Sequence, residues 1–425
     1  MGVVDVGLLG LQFWVLVDVV AHSARPRRGA VRSSKLADSA NSAEDRSYRW
    51  SVGRPQHTGR PTGGGKARST CDDGRRESGV HMTAVGLVLG SGGLHGAAQH
   101  AGALAALVEA TGWDPRTADV VVGTSAGATT AVSLRAGLSA ADLHAHYAGT
   151  PLSDEGRAIV DRVTTPLDLG GQVTGEPAAE ERSGSSSGGP WSWRPANPLL
   201  VLRDLCSTAR PRPVVALAGL LPTGTRDGSS LSARNTEIHP DPWPDQPTWI
   251  CTVDLQTGKR VVLGRDDVDV AIGPAVQASA AIPGWFRPVE VDGRRLVDGG
   301  VHSTTNADLV AALGLDVVVI SSVRTVGGTA GPTDYRGTVA RAWHARTLWR
   351  EVQAIRRRGT AVLVLDPTAS DLAARKVLAD GSSDQNKHGL SDICEAARVS
   401  ALARLALPEA TRARRLLTSA AEPPR

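Results

Sequence analysis

Asp119-Val120-Val121-Val122-Gly123-Thr124-Ser125-Ala126-Gly127 is the stretch whose reading decides the fold. An apolar β-type run enters a serine flanked by glycines, and a run of small residues, Ala128 to Ala136, leaves it with helical character. Strand, sharp turn and helix with a serine at the tip is the G-x-S-x-G nucleophile elbow. A side chain at Gly123 or Gly127 would hinder the close crossing of helix over strand. The Ser125 hydroxyl then projects at a helix start, where unpaired N–H groups favour developing negative charge. The plainer reading is a glycine-rich turn with an incidental serine, and five residues do not separate the two.

Two more stretches widen the pattern. About thirty residues earlier, Val85-Gly86-Leu87-Val88-Leu89 runs into Gly90-Ser91-Gly92-Gly93-Leu94-His95-Gly96 and then a helix. A strand opening into glycines and a helix makes a nest of backbone N–H groups suited to an anion. The spacing G-x-G-G-x-x-G departs from the dinucleotide fingerprint, and no acidic residue ends a second strand about twenty residues on. An oxyanion hole fits better, because nest and serine come from neighbouring strands. Far downstream, Leu296-Val297-Asp298-Gly299-Gly300-Val301 ends a strand on an aspartate with two glycines beside it.

At these three places the chain resembles the patatin-like phospholipase family. Ala278-Ser279-Ala280-Ala281-Ile282-Pro283-Gly284-Trp285-Phe286 and Thr252-Val253-Asp254-Leu255-Gln256-Thr257-Gly258 are similar to internal segments of those proteins. The likeness runs from about Ala84 to Leu407 around a divergent insertion. It implies a Ser–Asp dyad without histidine, with Ser125 as nucleophile and Asp298 as base. It also implies an oxyanion hole of N–H groups around Gly92, Gly93 and Leu94. Gly90, His95, Gly96, Gly123, Gly127, Gly299 and Gly300 support the three motifs. The implied reaction is cleavage of fatty-acyl esters of phospholipids or related lipids at a membrane surface, with no metal or organic cofactor. One departure stands out: many relatives carry a basic residue where this chain has His95, which bears charge only when protonated.

Two alternatives stay open. An α/β-hydrolase esterase would need a Ser-His-Asp triad, and His388, in Asn386-Lys387-His388-Gly389, is the candidate for its late histidine. His239, His302 and His344 are the other downstream histidines. A lipid-binding or regulatory protein of the same fold with weak catalysis is the second alternative, and His95 invites it.

The whole chain agrees with an α/β class. Its 425 residues hold one large domain or two ordinary ones. The net charge of +4 sits in the leader: residues 1–81 carry 13 basic against 8 acidic residues, and the rest carry 34 against 35. The domain therefore makes no electrostatic case for nucleic acid. Cys71, Cys206, Cys251 and Cys394 are far apart without metal spacing and read as free thiols of a reducing compartment. His144 and His146 are two apart, off any shared helical face, so they make no metal pair. The expected location is cytoplasmic, peripheral to a membrane.

Residues 3–20 are apolar between Asp5 and Asp18, short for a membrane span and lacking the positive start of a secretory signal. Ala21-His22-Ser23 has the form of a cleavage site, so an anchor or signal remains the alternative. Residues 22–80 are rich in Ser, Arg, Gly and Pro, the composition of disorder. Met82 directly precedes the first core strand, which marks it as the expected natural start, with residues 1–81 a leader. The domain is expected over 82–407, with a variable insertion at about 150–246 and a tail over 408–425. Within the insertion, Gly170 to Pro190 reads as a loop. Trp191-Ser192-Trp193 and the runs Pro198–Leu205 and Val214–Leu221 read as an apolar cap, either ordinary packing or a lid over the serine.

Further along, Thr248–Leu255 and Arg260–Leu263 read as a hairpin. Pro274–Ala281 reads as a helix, Arg294–Val297 as a strand, and Leu315–Val323 and Ala361–Leu365 as apolar strands. Helices are expected around Val339–Arg356 and Ser391–Ala406, and Arg412-Ala413-Arg414-Arg415 as a solvated helix end. The alternation of strand and helix predicts a three-layer α/β/α sandwich with a largely parallel central sheet.

Overall fold

Short runs of valine, leucine and isoleucine bounded by turn residues become the strands, because they are apolar on both faces. In chain order they are β1 (Val85–Leu89), β2 (Val120–Gly123), β3 (Thr248–Asp254), β4 (Arg260–Leu263), β5 (Val289–Val291), β6 (Arg294–Asp298), β7 (Val317–Ser321) and β8 (Ala361–Leu365). The helices are α1 (Gly93–Thr111), α2 (Ala126–Arg135), α3 (Ala140–Ala148), α4 (Asp154–Val160), α5 (Pro213–Leu220), α6 (Ser229–Ile238), α7 (Ile272–Ser279), α8 (Tyr335–Arg356), α9 (Gln385–Ala406) and α10 (Thr411–Ala421). This computed structural model describes residues 83–168, 195–200, 213–325, 335–368, 371 and 385–422. The leader with Met82, the Gly170–Pro190 stretch, Trp191-Ser192-Trp193, most of the Pro198–Leu205 run, Cys71 and Cys206 lie outside those residues.

The eight strands form one sheet in the order β5-β6-β3-β2-β1-β7-β8, with β4 also paired to β3. The five strands from β3 to β8 in that order are parallel to one another, whereas β4 and β6 run antiparallel to β3, and β5 antiparallel to β6. Side chains alternate cleanly between the faces. Val85, Leu87, Leu89, Val121, Val317, Val319, Leu363 and Leu365 join a core with α1, α3, α9 and α10. Val88, Val120, Val122, Val318, Ile320 and Val362 point the other way, into a core with α8 and the turn Ala307–Val310. Helices on both faces of the sheet make the three layers the alternation predicted.

Local signals explain most boundaries. α1 stops at Gly112, left-handed at φ 71°, whose N–H closes on the Val108 carbonyl. α3 starts with a capping box, the Ser139 hydroxyl accepting from Asp142 N–H while the Asp142 carboxylate accepts from Ser139 N–H. α7 begins at Ile272, two residues before the proline expected to open it. β5, α4 and α6 were not expected: β5 is three residues long, and the two helices fall inside the insertion. The arginine-rich tail is a packed helix as well as a solvated one. Arg412 and Arg415 are exposed, but Ala413 and Leu417 are buried against the first core. Among the described residues no helix is long and apolar enough to cross a membrane.

α1 and α9 approach so closely at Gly102 that an added Cβ would overlap the Cys394 carbonyl. Gly102→Ala is expected to force these helices apart and cost about 1–3 kcal/mol. Urea denaturation would read this as a lower midpoint at unchanged slope; an unshifted midpoint would refute it.

Candidate active site

Two strands end head to head beside β3. β2 runs along β3 until Gly123 stands opposite Ile250, and β6 arrives from the other direction until Asp298 stands opposite Thr252. Both use the same edge of β3. Val121 N–H donates to the Pro247 carbonyl and Leu255 N–H to the Arg295 carbonyl, at positions of one parity. Asp254 N–H, of the other parity, turns to Lys259 and the β4 side. The carboxyl ends of β2 and β6 therefore meet over Cys251, which brings residues 125 and 298 into one place. In the gap, the Cys251 carbonyl accepts the Ser279 hydroxyl at 2.7 Å.

Ser125 occupies the turn between β2 and α2 with φ 54° and ψ −116°. A non-glycine residue held there stores strain on the order of 1–3 kcal/mol, which surrounding contacts must hold in place. Its N–H donates 2.9 Å to Ser279 Oγ, which in turn donates to the Cys251 carbonyl, so a serine of α7 grips the Ser125 backbone. Gly127 is required because a Cβ would overlap the Leu89 carbonyl of β1. The helix thus rides directly over the strand pair, and Ser125 stands at its N-terminus.

Asp298 is buried, and its Oδ1 accepts from Gly300 N–H at 2.7 Å. Its own N–H donates to the Ala281 carbonyl at 3.0 Å. Gly299 packs where any side chain would overlap the Cys251 carbonyl, which seats the acid turn on β3. Burial pushes the carboxyl from its ordinary value near 3.8 up to about 6. The Gly300 N–H, then the Ser125 hydroxyl, then the Arg324 charge oppose that rise. The Ser125 hydroxyl is thus close enough to act on the carboxylate.

The glycine-rich loop closes the third side. Gly90 N–H donates to the Ser321 carbonyl and Ser91 N–H to the Thr304 carbonyl. Buried His100 locks the same loop: Nε2 meets the Gly90 carbonyl at 2.7 Å and Nδ1 the Ser321 hydroxyl at 2.7 Å. A carbonyl only accepts, so Nε2 carries the proton and a neutral ring accepts through Nδ1. Gly92 is the residue before α1, and Gly93 and Leu94 form its first turn. The helix ladder first closes at Gly96 N–H on the Gly92 carbonyl, and no side chain caps the start. The N–H groups of Gly92, Gly93 and Leu94 therefore lie ahead of the ladder, as at any uncapped helix start. His95 is exposed beside them and Gly96 is buried.

The structure thus brings together all three motif stretches. Sequence reasoning missed Ser279 and His100 as supports. No local signal near Ser279 marks its partner Cys251, 28 residues away. His100 lies four places beyond the loop, and its partner Ser321 is 221 residues away. Among the described residues no group of three or more His, Cys, Asp or Glu is placed to hold a metal. Buried Cys251 is pushed up to about 12 and stays a thiol.

A family model described as patatin-like phospholipase matches residues 87–311, just over half of the 425 residues and all three motifs. Uncharacterized NTE family proteins of Mycobacterium tuberculosis and Mycobacterium bovis are similar to the chain, 37% identical over 98 residues. That stretch covers 23% of this chain and 26% of each relative, so the chain spans about a quarter of the length of the curated relatives it matches.

A carboxyl that holds its proton up to about pH 6 when folded, but only to about 4 when unfolded, makes the fold lose stability as pH rises through that window. The loss is complete above it and amounts to about 3 kcal/mol. Asp298→Asn carries no such proton. It is expected to gain stability on the wild type by up to that amount between pH 4 and 7 in urea denaturation, and parallel curves would refute it.

Proposed function

The chain belongs to the patatin-like phospholipase family, and from that membership and the geometry above we propose that it is a serine acyl hydrolase working through a Ser125–Asp298 dyad. The observation that carries the proposal is the meeting of β2 and β6 on one edge of β3. It sets a strained serine at a helix start and a buried carboxyl close by, and the loop from β1 adds uncapped amide protons on one side.

A serine hydroxyl becomes a nucleophile when a base takes its proton. Asp298, whose proton affinity burial raises, takes it as Ser125 Oγ attacks the acyl carbonyl. The carbonyl oxygen gains negative charge and receives the N–H groups of Gly92, Gly93 and Leu94; one such donor contributes on the order of a hundredfold in rate. Collapse of the tetrahedral adduct expels the alcohol, which leaves with the proton from Asp298. Water then gives a proton to Asp298 and attacks the acyl-serine, and a second collapse releases the carboxylic acid while Asp298 returns that proton to Ser125 Oγ. The substrates are fatty-acyl esters of phospholipids or related lipids, met at a membrane surface by a peripheral cytoplasmic protein.

Ser125→Ala and Asp298→Ala are each expected to lower kcat on a panel of acyl esters by about a thousandfold or more. A serine-directed phosphonate is expected to modify Ser125, seen by peptide mass spectrometry. His302→Ala and His388→Ala are expected to leave turnover within about threefold. Loss of turnover in either histidine variant would favour a triad, and lipid binding without Ser125-dependent turnover would favour the weakly catalytic alternative.

A further inference from the structure

The segment just after the acid turn touches every part of the site. Thr304 offers its carbonyl to Ser91 N–H of the glycine-rich loop at 2.8 Å. Asn306, fully buried at φ 54°, donates through Nδ2 to the Thr124 hydroxyl at 3.1 Å and to the Ser303 carbonyl at 2.7 Å. A longer contact of 3.5 Å reaches the Gly299 carbonyl. Thr124 immediately precedes the nucleophile, and Gly299 immediately follows the acid. The amide cannot turn over, because its Oδ1 accepts from Arg260 Nη1 at 3.1 Å and a guanidinium only donates. Arg260 is itself fixed by both oxygens of Asp308, at 2.7 and 2.8 Å.

The segment has an anchor of its own. Glu351, buried on α8, accepts from the Ser303 hydroxyl at 2.6 Å, the Thr305 hydroxyl at 2.5 Å and the Ala307 N–H at 3.1 Å. Three donors on one buried carboxyl hold residues 303–307 in a single conformation, since breaking any of them leaves a buried polar group unmatched.

We propose that Asn306 and Glu351 are positioning residues for the hydrolysis, Asn306 locking the nucleophile turn to the acid turn and Glu351 holding Asn306 in place. The inference rests on the dyad reading above. Neither residue touches the reacting atoms. Their effect is on the distance between Ser125 and Asp298, where a displacement of about 1 Å can cost on the order of a hundredfold in rate.

The test uses the full chain, p-nitrophenyl acyl esters, and the rate at which a fluorophosphonate labels Ser125. Thermal melting verifies that each variant is folded. Thr124→Val deletes the acceptor at nearly constant volume, and Thr124→Ser keeps it. Thr124→Val, Asn306→Ala and Glu351→Gln are each expected to lower kcat and the labelling rate by about tenfold or more with KM within about twofold. Thr124→Ser is expected to stay within about threefold of wild type. Thr124→Val combined with Asn306→Ala is expected to be no slower than the slower single variant, because both break one link. Folded Thr124→Val at wild-type kcat, or losses that multiply in the double variant, would overturn the inference even if Asn306→Ala does not fold. Wild type that turns over esters while Ser125→Ala does not keeps the dyad reading in force whatever the positioning variants do. Absence of both turnover and labelling in wild type removes both.

Discussion

Everything in this site depends on β3 lending one edge to two strands that run toward each other. A parallel partner stops at Gly123 and an antiparallel partner stops at Asp298, and between them a single carbonyl, that of Cys251, has no strand opposite. A buried carbonyl without a partner is costly, and the Ser279 hydroxyl supplies the missing donor. The same hydroxyl accepts from Ser125 N–H. The discontinuity in the sheet is therefore also the seat of Ser125, and the hydroxyl that repairs the sheet also holds the serine turn.

Two unfavourable features sit side by side there. Ser125 holds a left-handed backbone, and Asp298 holds a carboxyl in surroundings that resist its charge. Asp298 ends β6 and Ser125 sits in the tight turn between β2 and α2, and glycines at 127 and 299 let neighbouring backbones press against them. Strain and desolvation persist only where packing leaves no alternative. Here β1, β2 and β3, all within the sheet interior, leave none.

How much of this was legible depended on the range of the signal. The strands were legible because apolar runs such as Val85–Leu89 and Val317–Ser321 must be covered on both faces wherever they lie. The glycine-flanked serine and the aspartate before two glycines were legible because backbone geometry imposes those residues locally. Ser279, His100, Asn306 and Glu351 were not recognised as parts of the site, because each acts through partners tens to hundreds of residues away. The Asn306–Thr124 bond spans 182 positions, and nothing near Asn306 in the chain announces it. α4 and α6 were missed for another reason. Their sequences, Asp154–Val160 and Ser229–Ile238, are short and polar, and packing decides them more than periodicity does.

The order of the two reactive groups along the chain has a consequence during synthesis. The serine is made 173 positions before the aspartate. A ribosome-bound chain therefore holds β1, β2 and Ser125 long before β6 and Asp298 exist. Until β6 docks, nothing brings Asp298 beside Ser125. β7 and β8 follow β6 in the chain, so the sheet is complete only after Asp298 has been made.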